Sequence, residues 1–159
     1  MVDDEKIKSL WITSNEGDLT TCSGRPIIFP FSGGTAEYYS DWKVSDRVAT
    51  IPLQLPGRSF RKNEPPIESI NMLLEELFPL ILSIQNLPFV FYGHSLGALI
   101  CLSLSKLLVA EGYSPPNALF LSGFHSPKIS LNHPKLSELD DLHLIEELKK
   151  IGGTPSELI

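Results

Sequence analysis

Residues 87–97, Leu-Pro-Phe-Val-Phe-Tyr-Gly-His-Ser-Leu-Gly, decide the fold of this chain. The stretch ends in G-x-S-x-G, with a glycine two positions away on each side of Ser95. That spacing is typical of a nucleophile elbow, in which a serine on a sharp strand-to-helix turn exposes its hydroxyl. Gly93 and Gly97 fit because only a residue without a side chain leaves room for so tight a reversal. Ser95 is therefore the candidate nucleophile.

The residues on either side predict the strand and the helix that an elbow requires. Leu87–Tyr92 is a short apolar run of aromatic and β-branched residues that contains a proline, as is typical of a buried parallel strand. Apolar residues continue after Gly97 as far as Glu111-Gly112, which predicts a helix of about four turns that ends at a glycine. Strand, elbow and helix thus follow in the required order.

Strands and helices alternate along the rest of the chain as well. Further strands are predicted at Pro26–Pro30, Val48–Leu55 and Asn117–Ser122, and helices around Asp41-Trp42 and over Ile67–Ile84, where Pro79 should kink or split the helix. This alternation predicts an α/β fold in which helices cover both faces of a parallel sheet. Beyond Pro127, residues 136–139 and 142–148 predict one or two short amphipathic helices.

Composition and charge limit the classes of protein and partner. The chain has 159 residues, 42% hydrophobic and 20% charged, which fits one modest globular domain. A net charge of -6 argues against nucleic acid or an anionic membrane as the main partner. No apolar run reaches the roughly 18 residues that span a bilayer. The acidic start lacks the features of a signal peptide, so we expect a cytoplasmic protein.

The cysteines and histidines predict no metal site and no cofactor. Cys22 and Cys101 lack C-x-x-C spacing, which argues against zinc and against a disulfide framework and fits a reducing compartment. Cys101 falls within the helix after the elbow, where we expect a small buried side chain. The four histidines lack metal-ligand spacing: they are His94, His125, His133 and His143.

Five short motifs carry a family resemblance. They are Phe29–Gly34, Leu55–Arg58 with Arg61 and Glu64-Pro65, Tyr92–Gly97, Leu121–Gly123 and Gly152–Pro155. In this order and at this spacing they resemble the type II thioesterases, stand-alone α/β-hydrolases that serve fatty acid, polyketide and nonribosomal peptide synthases. Among these, the medium-chain S-acyl fatty acid synthase thioesterases of animals (oleoyl-ACP hydrolases) are the most similar group. The resemblance covers the chain from about Pro26 to its last residue.

The resemblance implies roles for a few residues. Ser95 matches the nucleophile, and the backbone N–H groups of Leu96 and Phe31 match the oxyanion hole, with Ser32 as the reserve for Phe31. The implied partner is an acyl carrier protein. The implied docking patch is basic, with Arg58, Arg61 and Lys62 as candidates, although a solvated loop explains them equally well. Arg58 and Glu64 match a loop pattern for which we expect a structural role.

The resemblance also implies a layout of the chain. Residues 1–24 would be an extension or edge strand, 25–127 a partial α/β-hydrolase core, and 128–159 the start of a helical lid. In such enzymes the acid and the base follow the serine. The implied aspartate loop and Gly-Gly-His motif do not occur here. We therefore expect the sequence to stop inside the lid, roughly 80 residues short of a whole domain.

The histidines present are poor replacements for the missing base. His94 adjoins Ser95 in sequence, so its ring should point away from the hydroxyl. His125 follows the strand at 117–122 near the top of the sheet and is the only one of the four histidines placed to approach Ser95. His133 and His143 are expected on the surface or in the lid. Without later strands, we expect the strand at 117–122 to be an uncovered edge and the isolated chain to be marginally stable.

Three interpretations remain open. The first is a monomeric thioesterase that uses Ser95 to release fatty acids from acyl carrier protein. The second is a non-catalytic, acyl-carrier-binding or regulatory relative that lacks the Asp and His of the triad. The third is a lipase or carboxylesterase with the same elbow, which the Leu-Pro-Gly-Arg and Gly-Gly-Thr-Pro motifs make the weakest of the three.

Overall fold

The computed structural model describes residues 11–12, 23–45, 47–48, 50–126 and 139–152. The chain divides into two compact units, the first ending at Phe124 and the second beginning at His125. The predicted extension at 1–24 lies almost wholly outside the described residues, as do the Gly-Gly-Thr-Pro motif after Gly152 and residues 136–138. The predicted boundaries at 24 and 127 stay predictions.

Four parallel strands form the sheet of the first unit. They are β1 (Arg25–Phe29), β2 (Ile51–Pro52), β3 (Phe89–His94) and β4 (Leu119–Ser122), in the order β2-β1-β3-β4. β1 pairs with β3 from Arg25 opposite Phe89 to Phe29 opposite Gly93. The predicted parallel α/β sheet is confirmed. β2 is shorter than the predicted strand, since Val48 and Leu53 make only isolated bridges.

Two long helices belong to this unit, α1 (Ile70–Ile84) and α2 (Leu96–Ala110). The Ser69 side chain caps α1 by accepting a 3.2 Å hydrogen bond from the Met72 N–H. α1 continues through Pro79, so of the two predicted effects the split is wrong and the kink stays a prediction. Pro79 and Glu75 both lie on the exposed side of the helix, where water can replace the helical donor that the Glu75 carbonyl loses.

The predicted helix at Asp41-Trp42 is wrong. A short 3-10 helix covers Ala36–Tyr39 and ends before Asp41. Buried Tyr39 packs edge-to-face with Trp42, with their ring centroids 4.9 Å apart. Trp42 also packs on Tyr92 at 4.9 Å. Aromatic contacts, rather than helix formation, therefore set the path of this segment.

The core lies between one face of the sheet and the two helices. Ile27, Phe29 and Phe91 point to this face and are fully buried. They pack with residues of both helices, including Leu77, Ile81, Ile100 and Leu104. The opposite face borders a mainly apolar cavity of about 420 Å³ lined by residues that include Pro26, Ile28, Val90, Tyr92 and Phe120. In the first unit, as far as it is described, both long helices thus pack on one face.

β4 is an edge strand in the described part of the chain, as predicted. It pairs with β3 from Phe91 opposite Leu119 to His94 opposite Ser122. Its apolar side chains remain exposed, with Phe120 55% accessible to solvent. An exposed apolar edge of this kind favours pairing with another strand.

The second unit contains α3 (Asp141–Ile151). The Asp140 side chain caps it by accepting a 3.0 Å hydrogen bond from the His143 N–H, and Gly152 ends it at φ 75°. The predicted amphipathic helix is confirmed, while its assignment to a lid stays a prediction. Across the described ranges, no helix has the length and apolar character needed to cross a membrane.

Candidate active site

Ser95 lies on the turn between β3 and α2 with φ 52° and ψ -114°. A positive φ is uncommon for serine, and such backbone strain costs about 1–3 kcal/mol. A Cβ on Gly93 would overlap the Gly97 carbonyl, and a Cβ on Gly97 would overlap the Phe29 carbonyl. The prediction that only a residue without a side chain fits at Gly93 and Gly97 is confirmed. In addition, the absence of a side chain at Gly97 allows α2 to lie close to β1.

The backbone of Ser95 is fixed while its side chain does not cap the helix. The Ser95 N–H donates a 2.8 Å hydrogen bond to the Ser122 carbonyl at the end of β4. Serine at a helix N-cap usually accepts a hydrogen bond from the first turn. Ser95 occupies the N-cap of α2 but its side chain accepts none there. The hydroxyl of half-buried Ser95 is therefore not used to cap the helix.

Leu96 is the first residue of α2. The N–H groups of a first helical turn have no acceptor within the helix, and the helix dipole makes this end positive. An N–H at this position suits the stabilisation of a negatively charged oxygen next to Ser95. This is the environment that the predicted Leu96 donor requires.

Phe31 begins the turn that follows β1. Its carbonyl accepts a 2.9 Å hydrogen bond from the Gly34 N–H and a weaker one, 3.4 Å, from Arg58 Nη1. Arg58 Nη1 lies equally far from the Gly34 carbonyl. The Phe31 ring packs edge-to-face on the His94 ring, at 5.9 Å between centroids. The fold thus brings Phe31 to the elbow, whereas the reserve candidate Ser32 lies exposed in the turn.

The prediction that Arg61 belongs to a basic docking patch is wrong. Only 5% exposed, Arg61 stacks on the Trp11 ring at 4.4 Å, donates to the Gln54 carbonyl at 3.0 Å and binds both carboxylate oxygens of Glu64. These bonds hold the pKa of Glu64 below its usual value. Arg58 is half-buried and desolvation lowers its pKa, which leaves Lys62 as the exposed cation of the three.

The expected structural roles of Arg58 and Glu64 agree with these contacts. Arg58 holds the turn at Phe31, and Glu64 holds Arg61 against Trp11. No sequence pattern points to the pair of Arg61 and Trp11, because 50 positions separate the two residues.

His94 makes contacts that the sequence did not reveal. Its Nδ1 lies 3.1 Å from Ser122 Oγ, at the end of β4. A Cβ added to Gly123 would come within 2.5 Å of His94 Cε1, so the ring lies against the backbone of Gly123. The register of β3 and β4, which places His94 opposite Ser122, creates this contact.

The remaining candidates lie elsewhere. His125 begins the second unit, and His143 lies on α3, where Asp140 Oδ2 contacts its Nδ1 at 2.7 Å and raises the pKa of the ring. His133 and Cys22 lie outside the described residues. Cys101 is fully buried, as expected, and burial raises the pKa of its thiol. Within the ranges described, His, Cys, Asp and Glu form no group of three or more that could hold a metal ion.

Comparisons with known proteins give the elbow a context. A protein-family model described as a thioesterase domain matches residues 26–159. The linear gramicidin dehydrogenase LgrE of Brevibacillus parabrevis is 33% identical over 154 residues, which cover 94% of this chain and 57% of that protein. The medium-chain S-acyl fatty acid synthase thioesterase of Rattus norvegicus is 34% identical over 139 residues, which cover 84% of this chain and 52% of that protein.

A solved structure agrees with these matches. The thioesterase RedJ from the prodiginine biosynthetic pathway of Streptomyces coelicolor superimposes with a TM-score of 0.72 at 30% identity. The match covers 89% of this chain and 53% of RedJ. The chain thus spans a little over half the length of the curated relatives it matches.

Proposed function

The chain belongs to the thioesterase domain family, and we propose that it hydrolyses acyl thioesters with Ser95 as the nucleophile. The observation that carries the proposal is the conformation of Ser95, strained at φ 52° on the elbow with its side chain left out of the helix cap. A protein that only bound acyl carriers would have no use for this strain, which costs about 1–3 kcal/mol.

The reaction has two halves. Ser95 Oγ attacks the thioester carbonyl carbon while a base takes its proton, and the oxygen that becomes negative accepts hydrogen bonds from the Leu96 and Phe31 N–H groups. The C–S bond breaks, the thiol leaves with the proton, and the acyl group remains as an ester on Ser95. Water then attacks this ester while the base takes a proton from it, the C–O bond to Ser95 breaks, the base returns the proton to Ser95 Oγ, and a free carboxylic acid leaves.

The base is assigned to a part of the protein after the elbow, as the chain order of such hydrolases requires. His94 is a poor candidate because its ring is engaged by Ser122, Gly123 and Phe31. The carboxylate that orients the base is assigned to the same later part. This chemistry needs neither a metal nor an organic cofactor.

The proposed substrate is an acyl chain on the phosphopantetheine of a carrier protein. Support comes from relatives whose names refer to fatty acid synthase, gramicidin and prodiginine biosynthesis. Of the three candidate cations, we propose that only Lys62 contacts the carrier protein. Arg61 is buried, and the side chain of Arg58 contacts the carbonyl of Phe31. A monomeric state and a cytoplasmic location stay predictions from the sequence.

Two other functions are less well supported. The name of LgrE refers to a dehydrogenase, but the dinucleotide fingerprint G-x-G-x-x-G does not occur in these 159 residues. A non-catalytic relative would follow if the protein bound an acyl carrier without reacting. No observation favours a non-catalytic relative over an enzyme that uses Ser95 as its nucleophile.

Ser95→Ala tests the proposal, with Ser105→Ala as the matched control on the same helix. The Ser105 hydroxyl donates to the Cys101 carbonyl within α2, so this variant keeps the elbow intact. We expect hydrolysis of decanoyl-pantetheine by the protein to fall at least 1,000-fold in Ser95→Ala, the scale on which triad members act. Equal rates in the two variants would rule out Ser95 as the nucleophile.

A further inference from the structure

The His94 ring connects three segments that meet at the elbow. It belongs to the elbow itself, it lies 3.1 Å from Ser122 Oγ at the end of β4, and it packs edge-to-face on Phe31 in the turn after β1. Ser122, the last residue of β4, follows His94 by 28 positions, and Phe31, in the turn after β1, precedes it by 63. β4 and β1 are the two neighbours of β3 in the sheet. One side chain therefore connects the end of β4 with the turn that follows β1.

The neighbouring backbone leaves the ring little freedom. Gly123 has φ 59° and lies so close that a Cβ there would meet all three of His94 Cε1, Nδ1 and Nε2 within 3.1 Å. On the same side, the Ser95 N–H is bound to the Ser122 carbonyl at 2.8 Å. The end of β4 is thus attached to the elbow twice, once through backbone and once through the His94 ring.

We propose that His94 is a positioning residue, which holds the Phe31 turn and the end of β4 against the elbow. In this arrangement the ring keeps the Phe31 N–H at the distance from Ser95 that an oxyanion hole needs. The inference rests on the proposed thioesterase function and deepens it, because it assigns to His94 a task separate from proton transfer. Misplacement of a donor by about 1 Å is enough to lower catalysis strongly.

Two substitutions separate the contacts of the ring. His94→Phe keeps an aromatic edge for Phe31 but removes the hydrogen bond to Ser122. His94→Asn keeps a polar atom near the position of Nδ1 but removes the ring. Ser122→Ala removes the same hydrogen bond from the other side.

The experiment is a double-mutant cycle of His94→Phe and Ser122→Ala, with His94→Asn measured beside it. We expect each variant to lower kcat about 3- to 10-fold, the scale of one hydrogen bond, with KM within twofold of the wild type. The double variant should lose no more than either single variant, because both remove one interaction. Thermal unfolding of each variant shows that the protein measured is folded.

Other results would overturn the inference. If kcat is unchanged in folded variants while the unfolding temperature falls, the ring has only a packing role. If His94→Phe and His94→Asn both lose more than 1,000-fold while Ser122→Ala retains full activity, His94 is the base. Additive losses in the double variant would show that the 3.1 Å contact does not act on the elbow.

A second readout keeps this test separate from the proposed function. The same variants are compared in the rate of labelling by a fluorophosphonate probe, which does not require a thioester substrate. If the wild-type protein is labelled by the probe but does not hydrolyse thioesters, the proposed substrate is contradicted. The double-mutant cycle of His94→Phe and Ser122→Ala can then still be measured from the labelling rates. If the folded wild-type protein is neither labelled by the probe nor able to hydrolyse thioesters, both proposals are contradicted.

Discussion

Gly97, in the first turn of α2, lies against the carbonyl oxygen of Phe29 with no room for a Cβ between them. The contact joins the helix after the nucleophile to the last residue of β1, immediately before the turn that holds Phe31. Close approach of α2 to the sheet therefore brings the helix that begins at Leu96 against the end of β1, just before the turn that begins at Phe31.

We predict that Gly97→Ala destabilises the protein by about 1–3 kcal/mol or more, as overpacking of a filled core does. Gly112→Ala is the control, because Gly112 has φ 79° but open space around it. That control should lose only about 1 kcal/mol, from its backbone conformation alone. Urea unfolding measures both, and a loss at Gly97 no larger than that at Gly112 would show that the contact with Phe29 is not tight.

The pair of Arg61 and Glu64 predicts a pH dependence of stability. Arg61 lowers the pKa of Glu64, so this carboxylate contributes stability above its unfolded pKa of about 4.3. That contribution is lost as the pH falls through the lower folded pKa. We expect Glu64→Gln to cost about 1 kcal/mol at pH 7, since the carboxylate is 40% exposed and screened, and to approach the wild type in acid.

Glu68→Gln is the control for Glu64→Gln, because Glu68 lies exposed on the same loop. Thermal unfolding between pH 7 and pH 3 is the measurement. A deficit of Glu64→Gln that stays constant over this range would contradict a role for the charge on Glu64.

Arg58 is expected to support the turn that carries Phe31. Its Nη1 lies 3.4 Å from both the Phe31 and the Gly34 carbonyl oxygens. We predict that Arg58→Met lowers kcat about 3- to 10-fold with little change in KM, because two weak hydrogen bonds to the turn are lost. Steady-state kinetics with decanoyl-pantetheine, which has no carrier protein, tests this. A change in KM alone would instead place Arg58 in substrate binding.

Lys62 is expected to contact the acyl carrier protein. We predict that Lys62→Glu raises KM for the carrier-bound substrate about 3- to 10-fold at low salt, and that added salt reduces the difference. KM for decanoyl-pantetheine should stay unchanged, because this substrate has no carrier protein that could contact Lys62. Equal effects on both substrates would rule out docking at Lys62.

The exposed edge at β4 predicts aggregation of a polypeptide made of residues 1–159 alone. Leu119, Phe120 and Leu121 are each at least 38% exposed, and an apolar edge strand pairs readily with a second copy. We expect Phe120→Lys to reduce light scattering at equal concentration. A wild-type polypeptide that stays monomeric and melts cooperatively well above 50 °C would contradict this prediction.

Local patterns predicted the parts of the site that depend on neighbouring residues. The elbow at Ser95, the strand before it and the helix after it, which ends just before Gly112, all follow from short-range spacing and residue type. The continuity of α1 through Pro79 did not, because it depends on which side of the helix faces solvent.

Contacts between distant residues were beyond the reach of those patterns. Arg61 is a typical surface residue by composition, yet Trp11 and Glu64 bury it. His94 meets Ser122 only because β3 and β4 are neighbours in a particular register. Sheet order and register are properties of the whole fold. The sequence therefore indicated only that His94 is a poor candidate for the base, and it suggested Arg61 as a docking residue.

In the proposed reaction, Ser95 carries the acyl group as an ester between the two halves of hydrolysis. The most direct test of this ester is to mix the protein with decanoyl-pantetheine, quench in acid within milliseconds to seconds, and map the acyl adduct by tandem mass spectrometry. We expect one decanoyl group on Ser95 in the tryptic peptide 63–106, present in Ser105→Ala and absent in Ser95→Ala. An adduct on another residue, or turnover with no adduct at any quench time, would contradict the proposed reaction.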